Sequence, residues 1–326
     1  MTTKEAGMGG RAIGSVTAAG ARVVVVGGAN TDIVGASSAA VRANDSNPGH
    51  IRVSAGGVGR NVAENLARLG VNVSLVTAFG GDEAGRALME ACRDAGIDVS
   101  ASIVAGDLPG AHYLAILDEW CDMALAVNDM RVLDLVTPAA LAEPARAALL
   151  AAACLVVVDT NLPAVSLEWL AATVTAPIVL EPVSEAKAGR AAGILSRVAA
   201  LTPNAAEAAV LLGHEVDGLA AALAAARELV ALGAGAAFVT CGVGGTAWAD
   251  ASASGTTPAP LVSVANASGA GDAFCAGVAW AALSGRGARD AAALGTSLAS
   301  IALGDEDTVS RRVTPEAASA AAKELD

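Results

Sequence analysis

Asn266-Ala267-Ser268-Gly269-Ala270-Gly271-Asp272 joins two apolar runs of the chain, one from Leu261 to Val264 and one that begins at Ala273. We interpret the first run as a β-strand and the second as a helix with small residues on a packed face. Gly269, Ala270 and Gly271 then lie at the start of that helix, where backbone N–H groups lack an intrahelical acceptor and the helix dipole is positive. Because small residues let an anion approach these N–H groups, the sequence predicts an anion-binding site at this turn.

Asp272 follows the three small residues and would project from the first turn of the helix. A carboxylate beside an anion site repels the anion unless it has a chemical task, such as receiving a proton from an attacking hydroxyl group. The alternative is that Asp272 only stabilises the helix N-terminus and that the glycines only allow a tight turn. The first interpretation makes Asp272 a candidate general base.

Two stretches of the chain resemble the signatures of one family, the ribokinase-like (PfkB) carbohydrate kinases. Asn266–Asp272 is similar to the second signature, and the stretch from Gly56 to Gly70 is similar to the first. They occur in the expected order, about 210 residues apart, and the resemblance extends from roughly Val23 to Ile301. Two independent motifs in this order are far more specific than either motif alone.

The resemblance implies both a fold and a reaction. The fold is α/β, with a doubly wound, mostly parallel sheet flanked by helices and a small β-sheet lid. The reaction is phosphoryl transfer from ATP, with Mg²⁺, to a primary hydroxyl of a sugar. Asp272 would be the general base, and the amides of Gly269, Ala270 and Gly271 would hold the transferred phosphoryl charge. Related enzymes often use a monovalent cation such as K⁺ near the anion hole, and the resemblance allows one here.

Composition is consistent with a large folded domain. Of 326 residues, 54% are hydrophobic and only 2% aromatic, so the core must be aliphatic and rich in Ala, and a disordered class is excluded. The 33 acidic and 20 basic residues give a formal net charge of −13, which argues against a nucleic-acid-binding surface. A phosphorylated ligand is still compatible with this charge, because backbone amides can bind phosphate without Lys or Arg.

Residues 1–20 are rich in Gly, Ala and Thr and lack the apolar core of a signal peptide. We interpret them as a flexible leader ahead of a kinase domain at residues 21–326. No 18-residue apolar run resembles a membrane span. The cysteines are scattered, with no C-x-x-C spacing, which fits a reducing cytoplasm. The three histidines lie far apart and form no evident metal-binding set.

A continuous apolar run at residues 22–26 predicts a strand inside a parallel sheet, and the C-terminal end of such a strand faces the ligand crevice of open α/β folds. Asn30 and Asp32 follow directly. The resemblance implies that Asp32 binds sugar hydroxyls, and a carboxylate can accept two vicinal O–H bonds at once. The alternative is an Asx turn that caps the strand. No G-x-G-x-x-G follows this strand and no G-x-x-x-x-G-K-[ST] occurs, which disfavours a dinucleotide fold and a P-loop kinase.

The lid is predicted from short alternating runs at residues 101–104, 112–117 and 123–127, together with residues about 33–55. The inserted lid segments would therefore be about 33–55 and 97–128. A lid excludes water and completes a site when substrate binds. Because a small exposed sheet needs its edge or face covered, we also predict a homodimer through the lid.

The candidates for binding the acceptor substrate are polar residues and glycines at predicted strand ends and in the lid: Asn30, Asp32, Asp45, Asn47, Gly56, Gly57, Asn61, Asn128 and Asp159. Asn61 lies in the first turn of a helix predicted from Val58 to Leu69, and its amide can aim at the same sugar as Asp32. Asp159 closes an apolar strand. Asp45 and Asn47 lie in a polar loop, for which the alternative is an ordinary surface turn.

The magnesium and nucleotide candidates follow two further strands. Asn204 and Glu207 resemble the N-x-x-E motif that organises Mg²⁺ and its waters in the family, and their i, i+3 spacing puts both side chains on one face of a helix start. The alternative is a capping box. The Gly-rich turn after a strand at residues 236–241 resembles the loop that passes the ATP phosphates and ribose, and a hairpin turn is compatible with the same residues. The cofactor-binding candidates are Asn204, Thr240, Gly242, Gly244, Gly245, Gly269 and Gly271.

Within the family, four stretches look most like those of pseudouridine kinases. They are Asp45–Gly49, Gly59–Asn61, Val127–Met130, and Pro182–Ser184 with Lys187. The resemblance implies phosphorylation of the 5′-hydroxyl of pseudouridine, whose C-linked uracil presents two N–H donors and two carbonyl groups. The alternatives are another kinase of this fold, for ribose, another nucleoside or a ketohexose, and a non-catalytic nucleoside or sugar sensor. A sensor has no need for a base beside an anion hole, so it is the less favoured alternative.

Overall fold

The computed structural model describes residues 22–325, and the leader predicted at residues 1–20 lies outside them. The strands within this range are β1 (Arg22–Val26), β2 (Asn30–Ser37), β3 (Gly49–Gly56), β4 (Asn72–Val76), β5 (Ala78–Gly80), β6 (Ile103–Ala105), β7 (His112–Leu117), β8 (Met123–Asp129), β9 (Leu155–Asp159), β10 (Ile178–Glu181), β11 (Ala200–Leu201), β12 (Ala236–Thr240), β13 (Thr246–Asp250) and β14 (Ser254–Thr257).

The α-helices in the described range are α1 (Val58–Arg68), α2 (Glu83–Asp94), α3 (Pro138–Leu141), α4 (Pro144–Ala151), α5 (Ala164–Thr173), α6 (Glu185–Ala188), α7 (Ala205–Leu212), α8 (Gly218–Ala231), α9 (Ala270–Leu283), α10 (Ala288–Leu303) and α11 (Pro315–Lys323). Short 3-10 helices occupy Arg131–Leu135, Gly189–Arg197 and Gly242–Gly244. No helix among residues 22–325 is both long and apolar enough to cross a membrane.

The main sheet has eight strands in the order β14-β13-β12-β11-β10-β9-β1-β4. Strands β4, β1, β9, β10, β11 and β12 run parallel, and the antiparallel strands β13 and β14 extend one edge. The side chains of successive valines in β1 pack into two separate hydrophobic cores, one on each face of the sheet. Val23 and Val25 belong to one core, and Val24 and Val26 belong to the other. The strand is apolar on both faces because helices cover both faces of the sheet.

Each face of the sheet has its own layer of helices. The core on one side contains side chains of α1, α2, α9, α10 and α11, and the core on the other side contains side chains of α3, α4, α5, α7 and α8. Helices α9 and α10 pack closely, since a Cβ added at Gly277 would lie only 2.7 Å from the Cα of Gly295. Helix α9 also contacts β9 and β10. Its N-terminus is therefore fixed at the C-terminal edge of the parallel strands.

A separate four-stranded sheet, in the order β3-β2-β7-β8, forms the lid. Strands β2 and β3 are antiparallel, β2 and β7 are parallel, and β7 and β8 form a hairpin. The prediction that residues 101–104 also belong to the lid is wrong, because β6 pairs with β5 in a two-stranded sheet against the main domain. The amide of Ile103 donates to the carbonyl of Thr77 at 2.8 Å, and Ala105 is buried in the core, so this apolar run satisfies its backbone there.

The apolar run Leu261–Val264 does not form the strand predicted before the second signature. The structure has irregular backbone from Pro258 to Gly269. Leu261 is fully exposed and Val264 is 58% exposed. These side chains lie on the wall of a surface cleft instead of joining the sheet.

Candidate active site

The C-terminal ends of β1, β9 and β10 form one edge of the main sheet, and many of the predicted site residues gather there. Asp272, at the start of α9, lies close enough to Asp32 and Asp159 for their charges to raise its pKa. Glu181, the last residue of β10, has its pKa raised by the charge of Asp272 in the same way. The fold thus brings four carboxylates from separate elements to one crevice, which is the position where open α/β sheets bind ligands.

Asp272 is held by a residue of the first signature. It lies in the first turn of α9 and is 8% exposed. Its Oδ2 accepts a hydrogen bond from Nδ2 of Asn61 at 2.7 Å. No other group among residues 22–325 hydrogen-bonds this carboxylate, so Oδ1 is left for a ligand.

The environment of Asp272 raises its pKa to about 7. Burial is the largest cause, because removal from water disfavours the ionised carboxylate. The charges of Asp159 and Asp32 act in the same direction, while the hydrogen bond from Asn61 and the charge of Arg60 lower the pKa. A carboxylate with a pKa near neutrality can both take up and release a proton, which suits a general base.

Asp32 and Asn30 lie together at the base of the lid. Nδ2 of Asn30 donates to Oδ1 of Asp32 at 2.5 Å. Burial is the main cause of the raised pKa of Asp32. Gly56 pairs with Asn30 in the β2–β3 ladder, and a Cβ at Gly56 would lie 2.0 Å from Asp32 Oδ2. Glycine is therefore required at position 56 to leave room for this carboxylate.

Gly57 caps the N-terminus of α1 with a φ of 99°, a conformation that L side chains rarely adopt. A Cβ there would also lie 2.5 Å from the Cα of Ala29. Gly57 thus lets the start of α1, with Asn61, approach the end of β1. The glycine acts through backbone packing, and Asn61 supplies the polar group.

Asp159 occupies the interior of the crevice. It is 1% exposed, its Oδ2 accepts from the amide of Gly28 at 2.8 Å, and its Oδ1 accepts from the amide of Asn161 at 2.9 Å. Burial raises its pKa. Both oxygens already have backbone donors, so the geometry gives Asp159 a role in holding the ends of β1 and β9 together, in place of the predicted direct contact with sugar.

Asn128 shares one row of the lid with Asp32. In the sheet register Asp32 pairs with Tyr113, and Tyr113 pairs with Asn128. Side chains at paired positions project from the same face of a sheet, so these three residues line one face. Because Asp32 on this face lies close to Asp272, the same face of the lid borders the crevice. Asn128 therefore lies at the edge of the crevice.

Asp45 and Asn47 are not brought to the crevice. They lie in the exposed loop after Ser37, which is seven residues, or about 23 Å of strand, beyond Asn30. Asn47 hydrogen-bonds the backbone of Arg42 and Asp45, and Oδ1 of Asp45 accepts from the amide of Ser46. Both residues therefore shape their own loop, as in the surface-turn alternative.

The residues predicted to form the anion site lie at the N-terminus of α9. Gly269 has a φ of 84°, and a Cβ there would lie 2.2 Å from the carbonyl oxygen of Thr308. Ala270 and Gly271 open the helix, where N–H groups have no intrahelical acceptor. A Cβ at Gly271 would meet nothing within 4 Å, so there is open space in front of these amides. The turn can therefore accept an anionic group.

Ala270 and Gly271 also line a cleft of about 390 Å³. Besides Gly271, three of the predicted nucleotide residues lie on its wall, Thr240, Gly242 and Gly245. Gly244 lies in the same turn, but not on the wall. The remaining lining is mostly apolar or small and comes from the turn after β12, the start of β13, the segment after β14, α9 and α10: Val243, Thr246, Ala259, Pro260, Leu261, Val262, Val264, Ala267, Phe274, Thr296, Ala299, Ser300 and Leu303. A mostly apolar cleft of this size is typical of a small-molecule site.

Asn204 and Glu207 form the capping box that was the alternative interpretation. Asn204 Oδ1 accepts from the amide of Glu207 at 2.9 Å, and Glu207 Oε2 accepts from the amide of Asn204 at 2.9 Å. A parallel β-bridge between Asn204 and Thr240 joins the start of α7 to the end of β12, just before the Gly-rich turn. Glu207 is buried, and burial raises its pKa. The cap therefore coexists with a buried carboxylate beside the cleft.

Two buried charged residues of the site were not among the predicted site residues. Burial, followed by the charge of Glu207, raises the pKa of Glu181 well above its usual range. Arg60 donates through Nη1 to Oδ1 of Asn61 at 2.9 Å. Arg60 lies within a stretch that resembles the family and Glu181 directly precedes another, but burial of a charged side chain is decided by contacts that the sequence does not show.

Comparisons with known proteins agree with this geometry. The chain matches the model of the pfkB family of carbohydrate kinases over residues 21–314. It is 33% identical over 261 residues to pseudouridine kinase of Escherichia coli (strain K12), a match that covers 79% of this chain and 82% of that protein. It is 34% identical over 280 residues to an uncharacterized sugar kinase of the same organism, a match that covers 85% of this chain and 77% of that protein.

Among solved structures, the ribokinase of Arabidopsis thaliana complexed with ribose and ATP has a TM-score of 0.82 to this chain at 20% identity, and the match covers 93% of this chain and 99% of that one. This similarity confirms the predicted ribokinase-like arrangement of a large, mostly parallel sheet flanked by helices with a small separate sheet. The family model spans most of the chain. The chain therefore belongs to the pfkB family of carbohydrate kinases, which are phosphotransferases with an alcohol group as acceptor.

Proposed function

We propose that this protein is an ATP-dependent kinase that phosphorylates the 5′-hydroxyl of pseudouridine, giving pseudouridine 5′-phosphate and ADP. The observation that carries the proposal is the position of Asp272. Its carboxylate is buried at the start of α9 with one oxygen held by Asn61, and the helix amides beside it line a cleft of nucleotide size. A base, an anion site and a cleft for the phosphate donor then meet at one turn of the chain.

Asp272 would receive the proton of the 5′-hydroxyl on Oδ1 while Oδ2 remains bound to Asn61. As this proton leaves, the hydroxyl oxygen bonds to the γ-phosphorus, and the bond from that phosphorus to the β–γ bridging oxygen breaks. The N–H groups of Ala270 and Gly271 would stabilise the negative charge on the transferred group. Phosphoryl transfer depends mainly on positioning and charge stabilisation, so one modest base is sufficient.

The residues beside the cleft fit Mg²⁺. Glu181 and Glu207 are both buried, and the charge of Glu207 raises the pKa of Glu181. A cation that prefers oxygen ligands would relieve this repulsion. No three acidic, His or Cys side chains within residues 22–325 converge to chelate a metal directly, so Asn204, Glu207 and Glu181 would hold the ion through water. When bound, Mg²⁺ would neutralise charge on the phosphates.

Two features support a nucleoside in preference to a bare sugar. Nζ of Lys187 donates to Oδ1 of Asn161 at 2.6 Å beside the crevice, and Asn128 and Tyr113 line the lid face above it. A ribose offers only hydroxyl groups, whereas a nucleobase also offers carbonyl and N–H groups with which amide and amine side chains can pair. The relative in Escherichia coli whose name states pseudouridine kinase directs the choice of nucleoside.

We also propose that two copies of the chain associate through the lid. The lid face opposite Asp32 is apolar and exposed, and it includes Ile51, Val53, Leu114, Leu125 and Val127. A contiguous apolar face of this kind on a small sheet needs a cover. A second copy of the same lid presents a matching apolar surface.

The test is an ADP-formation assay with ATP and Mg²⁺ on a panel of pseudouridine, uridine, adenosine, cytidine, ribose and fructose, with Asp272→Asn run in parallel. We expect turnover of pseudouridine and at least about a 10²-fold loss in the variant. Preference for another acceptor would move the assignment to that acceptor within the same family. Full activity of Asp272→Asn would contradict the proposed mechanism.

A further inference from the structure

A cluster of charged side chains lies on α1, next to Asn61, the residue that hydrogen-bonds the proposed general base Asp272. Arg60, Glu64 and Arg68 are spaced four residues apart on this helix. The carboxylate of Glu64 accepts from Nη2 of Arg60 and, through its other oxygen, from Nε and Nη2 of Arg68 at 3.1 and 2.6 Å. The side chains of Arg60 and Glu64 are 9% and 7% exposed, whereas that of Arg68 is 27% exposed. A buried guanidinium is kept in place only when its partners are well arranged, so the cluster needs an explanation.

Arg60 touches the catalytic machinery through the amide of Asn61. Its Nη1 donates to Oδ1 of Asn61 at 2.9 Å and to the carbonyl of Ala55 at 3.2 Å. A guanidinium has donors and no acceptor, and an ionised carboxylate has acceptors and no donor. The oxygen of the Asn61 amide must therefore face Arg60, and its NH2 group must face Asp272. In a flipped amide, the NH2 group of Asn61 would face the N–H donors of Arg60 and its oxygen would face the carboxylate of Asp272, so neither hydrogen bond would form.

We propose that Arg60, anchored by Glu64, is a positioning residue for the base: it fixes the Asn61 amide so that this amide holds Oδ2 of Asp272 and leaves Oδ1 for the acceptor hydroxyl. The inference rests on the proposed function, since it requires Asp272 to act as the base. It assigns a task to the Arg that precedes Asn61 in the sequence.

Arg60 acts on Asp272 through its charge as well as through its hydrogen bonds. Asp272 faces Asp32 of β2, Asp159 of β9, Glu181 of β10 and, one turn further along α9, Cys275. The positive charge of Arg60 lowers the pKa of Asp272, against burial and the charges of Asp159 and Asp32, which raise it. Its removal therefore disfavours ionised Asp272 further, and a smaller fraction of the base is available at neutral pH.

Three variants at two positions of the cluster test this role. Arg60→Met removes the hydrogen bonds and the charge. We expect kcat to fall on the order of tenfold to a hundredfold, with little change in the KM for ATP and with the acid limb of kcat/KM moved to higher pH. Arg60→Lys keeps the charge without the planar fork, so it should restore the acid limb and recover only part of kcat. Arg68→Met is the matched control, because it removes the other guanidinium on Glu64 without touching Asn61, and its kcat and pH profile should stay within about twofold of wild type.

A double variant guards against a folding failure, because Arg60→Met alone leaves Glu64 with fewer partners in the interior. Arg60→Met/Glu64→Gln removes both buried charges and still leaves Asn61 unheld, so it should retain the low kcat once thermal unfolding shows that it is folded. Wild-type kcat and acid limb in a folded double variant would overturn the inference. Asp272→Asn, assayed on the best acceptor of the panel, separates the test of the proposed function from the test of the role of Arg60. Full activity in that variant would overturn the proposed mechanism, whereas the expected loss together with unaltered Arg60 variants would overturn only the role of Arg60.

Discussion

The side-chain amide of Asn61 donates to the carboxylate of Asp272 at 2.7 Å, although the two residues are 211 positions apart in the sequence. Asn61 lies in the first turn of α1 and Asp272 in the first turn of α9. The contact therefore joins the two signature stretches at the N-termini of two helices that pack on the same face of the main sheet. Neither stretch alone provides both the proposed base, Asp272, and the amide that hydrogen-bonds it.

The pH dependence of the reaction should report the raised pKa of Asp272. That pKa is about 7, and the base must be ionised to accept a proton. We expect kcat/KM to fall about tenfold for each pH unit below 7 and to reach a plateau above about pH 8. Rates measured from about pH 5.5 to 9 would show this limb, and ATP binding over the same range is the control because it does not need the base. A limb near the ordinary carboxylate pKa, about 4, would show that Asp272 is not shifted or not the base.

Asp272→Asn should increase the free energy of unfolding at a pH above the pKa of Asp272, although the same substitution removes activity there. Folding raises the pKa of Asp272 from 3.8 to about 7, so the stability linked to this group is fully present below about pH 4 and is lost as pH rises through about 7. Asparagine carries no charge that burial can penalise. The gain in the free energy of unfolding at about pH 8 should therefore be a few kcal/mol, with about 4 kcal/mol as the upper limit.

Urea unfolding of wild type and Asp272→Asn at about pH 4 and about pH 8 measures this difference. The variant should be more stable at the higher pH and should lose that advantage at the lower one. The charge of Asp272 also raises the pKa of buried Glu181, so its removal favours ionised Glu181 and adds to the gain at the higher pH. Equal stability at the higher pH would show that burial of the ionised carboxylate costs little in this crevice.

Gly269 and Gly271 should respond differently to alanine, although they are two residues apart. At Gly269 a Cβ would clash with the carbonyl of Thr308, and the φ of 84° is unfavourable for alanine by about 1–2 kcal/mol. Gly269→Ala should therefore lower both the melting temperature and the activity. At Gly271 a Cβ meets nothing and the backbone is helical, so Gly271→Ala should be neutral or stabilising by up to about 1 kcal/mol.

Gly271→Ala should nevertheless slow phosphoryl transfer, on the order of tenfold or more, because its methyl group occupies the approach to the anion site. Thermal unfolding and kcat measured on both variants separate the two effects, and each variant serves as the control for the other. Wild-type kcat in a folded Gly271→Ala would mean that the space in front of the α9 amides is not used by the transferred group.

Several parts of the site could be predicted because they depend on local chemistry. Gly269, Ala270 and Gly271 mark a helix start by their size, and Asp272 follows at a fixed helical position, so the start of α9 and the place of Asp272 in its first turn were accessible from the sequence. The role of Asp159 was not, because whether its carboxylate meets sugar or the backbone of Gly28 depends on how closely β1 and β9 approach.

The run Leu261–Val264 shows a second limit of sequence reasoning. Apolar residues usually indicate a buried strand. Here Leu261, Val262 and Val264 line a surface cleft instead of packing into the core. Likewise, Ile103–Ala105 alternates like a lid strand but pairs with β5, because short apolar runs carry no information about their partner.

The apolar outer face of the lid leads to a prediction about oligomeric state. Ile51 is 77% exposed, Val53 64%, Leu125 61% and Val127 58%, and the strand register places them on the face opposite Asp32. Light scattering at micromolar concentration should give about twice the chain mass of 31.7 kDa. Leu125→Lys puts a charge in the middle of this face and should yield a folded monomer, because an unpaired charge is excluded from an apolar interface.

The control for the lid variant is Leu232→Lys, since Leu232 is 52% exposed and lies at the C-terminal end of α8, away from the lid. It adds the same charge and should leave the dimer intact. If pseudouridine turnover falls in the Leu125→Lys monomer while Leu232→Lys is unaffected, the lid also needs its neighbour in order to close over the substrate. A wild-type protein with the mass of one chain at micromolar concentration would contradict the dimer, and the apolar face would then need another partner.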